Sequence, residues 1–144
     1  MAITQALCTS FLKELFEAKH DFTADTFNMA LYTDAATLSA ATTAYTTTGE
    51  VASGGGYTTG GNAIGVGAPT SSGQTAYVDI TPDEAWAAAT FTCRGALVYN
   101  TSSGGNEAVC VLDFGSNKSP SAQTFTVVIP TADADNAIIR IVGG

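Results

Sequence analysis

Between Ala30 and Gly61 the chain reads ALYTDAATLSAATTAYTTTGEVASGGGYTTGG, a stretch of Thr, Ala, Gly and Ser inside a chain of only 144 residues. Side chains this small bury too little apolar area to build a core of their own. The stretch is also too long for an ordinary connection, so it reads as a long ordered surface loop or an arm, spanning residues 33–62. Leu31, Leu38, Tyr45, Val51 and Tyr57 recur along it as spaced anchors, and glycines on both sides of Tyr57 mark turns that admit positive φ. The expected role is contact: residues 35–61 lie against a neighbour, with Tyr45, Val51 and Tyr57 as partner-binding anchors. On that reading Tyr57→Ala leaves the isolated fold intact.

The flanking sequence supplies the rigid body. Ile3, Leu7, Phe11 and Leu15 fall at four-residue steps with Leu12 and Phe16 beside them, which predicts one amphipathic helix over 4–19 with Lys13, Glu14 and Glu17 on its other face. The period then changes to two: Phe27, Met29 and Leu31 alternate with Thr26, Asn28 and Ala30, a strand over 26–32 with one buried face. Further strands are expected at 63–66, 75–80, 88–93, 95–99, 108–114, 123–129 and 137–142, separated by Pro, Gly, Asn and Ser breaks. Short strands at such spacing indicate a mainly β domain over 1–144, an antiparallel β-sandwich, immunoglobulin-like or related, with the helix at one end or edge.

Charge narrows the partners. The net charge is −8, and the five Lys and Arg stand singly at Lys13, Lys19, Arg94, Lys118 and Arg140, with no basic stripe to neutralise phosphates. Nucleic acid and anionic membrane are therefore not expected partners. Charged residues are 12% of the chain, so Thr, Ser, Asn and backbone groups must carry much of the surface, which suits burial against protein. MAITQALCTSF has neither the charge pattern nor the apolar run of a leader, and the chain is expected to fold first in a cytoplasm. Cys8, Cys93 and Cys110 form no CxxC spacing and read as buried small hydrophobes, with a Cys93–Cys110 disulfide left open because sequence supplies no distance.

Candidate chemistry is thin. The single histidine, His20, follows the helix without a GxSxG elbow and reads as a polar helix end. Asp133, Asp135 and Asn136, like Asp83 and Glu84, resemble polar turns more than calcium ligands. GGGYTTGG lacks the Lys-Ser/Thr ending of a phosphate loop. Asp79 and Asp113 in strand-like runs call for partners such as Arg94 or Arg140. Trp86, Tyr45, Tyr57 and Tyr99 could form a carbohydrate platform, the binding-module alternative. No catalytic residue, cofactor or metal is assigned, and the chain is expected not to be an enzyme.

The order of blocks, from TQALCTSFLKELFEAKHDFTADTFNMALYTDAATLSAATTAYTTTGEVASGGGYTTGG through ATFTCRGALVYN and AVCVLDFG to PTADADNAIIRI, resembles a group of small virion structural proteins of tailed bacteriophages. ALYT followed by TTAYTTTGEV and GYTTGG, with RGALVYN and VLDFG, carries the resemblance. It implies a non-enzymatic capsid decoration or cement protein on the outer surface of the major capsid protein lattice, located in the virion. Homo-oligomers, trimer or dimer, would bind there by many weak contacts. A tail, adaptor or baseplate component is the alternative within the same group.

Overall fold

The computed structural model describes Ala2 to Gly143. In chain order the elements are β1 (Ala6–Leu7), α1 (Thr9–Phe16), β2 (Phe27–Tyr32), β3 (Asn62–Ile64), β4 (Thr70–Ser72), β5 (Thr75–Val78), β6 (Glu84–Ala89), β7 (Cys93–Asn100), β8 (Ala108–Lys118), β9 (Gln123–Val127) and β10 (Ile139–Val142). With 43% strand and 6% helix the chain is mainly β, as its turn spacing indicates. Every strand pairing is antiparallel. One sheet has the order β1-β8-β7-β2-β3, a second β10-β5-β4, and β6 pairs with β9 alone, in a layered, sandwich-like arrangement that does not close into a barrel.

The helix is half its expected length. Residues 2–8 are extended instead: Ala6 and Leu7 pair with Val111 and Cys110, Ile3 bridges to Leu38, and the Cys8 N–H donates to the Val109 carbonyl at 2.9 Å. Ile3 and Leu7 match a helical period, but the open edge of β8 and the chain at Leu38 offer their backbone groups partners that an isolated helical turn lacks. Tertiary pairing overrides the periodicity. The helix stops at Glu17, and Ala18 turns off with φ 56°.

Strand β2 is buried on both faces from Met29 to Tyr32, where one buried face was expected. The Thr/Gly segment explains this, because it lies along β2 as an ordered loop and is not a free arm. The Val51 N–H donates to the Leu31 carbonyl at 3.0 Å, the Thr33 N–H to the Gly49 carbonyl at 2.8 Å, and the Tyr45 N–H to the Asn106 carbonyl at 2.9 Å. Gly61, at φ 76°, sits so close that a Cβ would run into the Met29 carbonyl.

Two other shifts have local causes. The strand expected at 88–93 lies earlier, at Glu84–Ala89, and a bulge with Ala88 at φ 50° interrupts its register with β9 between Trp86 and Ala89. Residues expected as a break supply β4, which turns into β5 through Gly73 at φ 58°. Buried apolar side chains from all these elements join one core, with Phe11, Phe27, Met29, Leu31, Leu97, Val98, Val109 and Val111 at most 1% exposed.

Candidate functional site

The Thr/Gly loop is held by a carboxylate that composition does not single out. Glu50 lies opposite Tyr32 in an isolated antiparallel bridge, so its side chain is delivered beneath the loop by backbone pairing. Its Oε1 accepts hydrogen bonds from the Tyr57 hydroxyl at 2.7 Å and the Gly60 N–H at 2.6 Å, and its Oε2 accepts from the Tyr45 hydroxyl at 2.6 Å. The Tyr57 oxygen accepts in turn from the Leu31 N–H of β2 at 2.9 Å. Tyr99 donates to the Gly60 carbonyl at 2.6 Å and stacks on Tyr45 with ring centroids 4.6 Å apart, while Tyr32 donates to the Thr46 carbonyl. Hydrogen bonds to a carboxylate are among the stronger kinds, and four phenols here tie one loop to two strands.

Burial, and then the bond to Glu50, push the phenol of Tyr57 far above its ordinary range, and the same two causes raise Tyr45. Burial also raises Tyr32 and Tyr99. These hydroxyls are fixed donors and not proton-transfer groups at neutral pH.

The three expected anchors therefore face inward. Val51 and Tyr57 are buried in the chain's own core and Tyr45 is half-buried against Tyr99, so all three hold the loop to β2 and β7. Within one chain these spaced apolar residues of the small-residue run pack against the body of the same molecule. The carbohydrate platform is not formed either. Trp86 packs at 3% exposure near Tyr57 and Phe125, and Tyr99 is covered by Tyr45.

His20 is also interior. Its side chain is fully buried between Glu14 and Asn100: the Asn100 amide donates to Nδ1 at 3.0 Å and Nε2 donates to Glu14 Oε1 at 3.0 Å. The amide is oriented by two further bonds, from its Nδ2 to Asp25 and from the Ser102 N–H to its Oδ1, which sets the histidine tautomer. Both ring nitrogens are used within the fold, and the ring packs against Phe11 with centroids 5.1 Å apart. This chain of polar groups ties α1 to the start of β2 and the end of β7.

The other candidates resolve into structural contacts. Arg94 pairs with Asp113 at 3.1 Å, not with Asp79, and the Gly115 N–H together with Arg94 holds the Asp113 carboxyl below its usual range. Asp133 accepts from the backbone of Asp135 and Asn136 and from the Asn136 amide, an ordinary polar turn, and Asp83 accepts from the Ile129 N–H. Among the described residues no cluster of three or more His, Cys, Asp or Glu is placed to hold a metal. Cys93 and Cys110 do not bond: Cys93 lies opposite Lys118 and Cys110 opposite Val98, far apart along the β7–β8 ladder. All three thiols are buried, and burial pushes Cys8 up to about 11 and Cys93 to about 12.

What the fold leaves open is elsewhere. Between α1 and the sheet of β4, β5 and β10 runs an apolar groove of about 150 Å³, walled by Phe11, Leu15 and Phe22 on one side and Ala76, Val78 and Ile141 on the other. Phe16, beside Leu15, is 94% exposed, and Ile141 and Val142 are 40% and 61% exposed. The sequence pattern puts Phe16 in the apolar stripe of the helix and 137–142 in a strand of the sandwich, with neither expected as a contact surface. No family of known proteins, no curated protein and no solved structure matches this chain.

Proposed function

We propose that this chain is a non-enzymatic virion structural protein of a tailed bacteriophage, a capsid decoration protein that binds the outer surface of the major capsid protein lattice and stabilises the head. The observation that carries the reading is the ordered run of sequence blocks, from ALYT through GYTTGG to RGALVYN and VLDFG, which resembles such proteins. The geometry of the loop supports it in a revised form. Tyr45, Val51 and Tyr57 fasten the loop from beneath, while Thr47, Thr48, Ser53, Thr58 and Thr59 stand exposed along its crest. A crest already fixed by the Glu50 bonds avoids an ordering cost of about 1–2 kcal/mol per residue on docking. Hydroxyls and open backbone then meet the lattice, and many copies add weak contacts by multivalency.

Imaging of the purified particle by cryo-electron microscopy, with copies counted and located, tests the assignment. Many copies spread over the head exterior are expected; a single ring at one vertex favours a tail or adaptor component, and absence from the particle rejects the virion reading. Within the decoration reading, Thr47→Lys with Thr58→Lys should lower head occupancy while the melting temperature of the free protein stays within about 2 °C.

A further inference from the structure

We infer that strand β10 is a docking edge for a second copy of this chain, which pairs with it antiparallel about a two-fold axis at Ile141 and closes the apolar groove beside α1. The inference does not depend on the virion reading.

Hydrogen-bond parity carries the first step. The Gly143 N–H donates to the Gln74 carbonyl, and the β10–β5 register sets Ile141 opposite Ala76 and Ile139 opposite Val78. Bonded pairs alternate along an antiparallel ladder, so residues 139, 141 and 143 spend their backbone groups on β5. Arg140 and Val142 turn their N–H and C=O outward, where β10 ends its sheet with no further strand among the described residues. From Arg140 to Gly143 every residue is exposed. An open edge with outward donors and acceptors and apolar side chains is a template for another strand.

The same parity selects the partner register. If a second β10 approaches with its own Ile141 on the axis, Arg140 of each copy faces Val142 of the other, and those are the residues whose backbone groups point outward. Four N–H···O=C bonds then form with no group stranded. The two Ile141 residues form the non-bonded pair at the centre, on the face shared with Ala76, Val78 and Ile139, and they close the mouth of the groove from both sides.

Charge agrees with a second copy. Residues 139–143 carry no carboxylate, and Arg140 meets Val142 and not its own twin, so the −8 charges of two copies are not opposed across the seam. Phe16, Ile141 and Val142 leave roughly 300 Å² of apolar side chain open per copy. Doubled by the two-fold, this is about half of what a stable interface buries, so association in the micromolar range is expected.

Sedimentation velocity of the full chain from about 5 to about 200 μM should show a monomer–dimer equilibrium. Val142→Pro removes an outward N–H and none used by β5, and should weaken it at least about 30-fold with the circular dichroism unchanged. Ile141→Lys sets two cations on the axis and should do the same. The central pair places its Cα atoms about 4.5 Å apart, within disulfide reach, so I141C should cross-link under mild oxidation at least about tenfold faster than V142C. A wild type monomeric throughout, a trimer, a dimer that I141K leaves unchanged, or V142C cross-linking as fast as I141C overturns the inference. Should Val142→Pro fail to fold, the Lys and Cys variants decide.

Discussion

The Thr/Gly loop and the edge formed by α1 and β10 invert what their compositions suggest. The loop, built from residues that cannot make a core, is closed: its backbone pairs with β2 and with residues 106–108 at the start of β8, and its tyrosines and Glu50 satisfy one another. The edge, built from Phe, Leu, Ile and Val, is open, with a groove, an exposed Phe16 and a strand side that no other strand of the described residues pairs with. Apolar content says how much a segment can contribute to a core. Whether it does so depends on where its backbone hydrogen bonds go, and that is the better guide to a contact surface.

The sharpest way to break this contrast is Tyr57→Ala. A loop held only by a partner would leave the free chain unaffected, whereas the buried Tyr57, bonded to Glu50 and to the Leu31 N–H, predicts a loss of about 4 kcal/mol in chemical denaturation. The same tyrosines should respond to alkali. Their folded pKa values are raised, so the stability they confer is complete below the unfolded value near 10 and is lost as pH climbs beyond it. In a titration followed at about 295 nm, Tyr32, Tyr45 and Tyr57 should ionise together with unfolding, in one steep step above about pH 10. Gradual ionisation of these three with the fold intact would contradict the closed loop.

The strand content, the antiparallel class and β2, β5, β8, β9 and β10 were legible because β-branched runs between Gly and Pro breaks carry that signal locally. The helix was overcounted because Ile3 and Leu7 keep a four-residue step that suits either a helix or an edge strand packed beside one. Strand β4 is polar at every position, so no alternation marks it. Of the candidate site, the aromatic anchors were legible and their target was not. Glu50, whose role rests on three donors, one five positions before it and two seven and ten positions after it, leaves only a carboxylate between a Thr run and Val51, a pattern with no period to detect. The β10 edge was invisible because openness belongs to sheet order, which short antiparallel strands do not specify.

Glu50→Gln sharpens the comparison at a smaller scale. Glutamine can still accept from Tyr57 and Gly60 through its carbonyl, but its amide faces the Tyr45 hydroxyl with a donor where an acceptor stood. The expected loss is about 1–2 kcal/mol, well short of Tyr57→Ala, since shape is kept and only charge assistance goes. A cycle with Tyr45→Phe should recover much of that loss as coupling, because the phenol that Glu50→Gln strands is absent from the double variant. Strict additivity would mean that the Tyr45–Glu50 bond contributes nothing to the loop.

The smallest effect is expected where a large apolar residue is removed, and that makes it the most telling. Phe16→Ser on the open edge deletes an aromatic ring that is 94% exposed and should change the stability of the monomer by no more than about 0.5 kcal/mol. Phe11→Ala, five residues earlier on the same helix and 1% exposed, should cost about 3–5 kcal/mol. The pair is matched in element and residue type, so the difference isolates burial within one chain from surface held in reserve. If dilute Phe16→Ser, measured well below the association range, loses stability comparable to Phe11→Ala, then Phe16 is packed in the monomer and the edge is not open; an unchanged monomer with weakened self-association assigns the ring to the seam between copies.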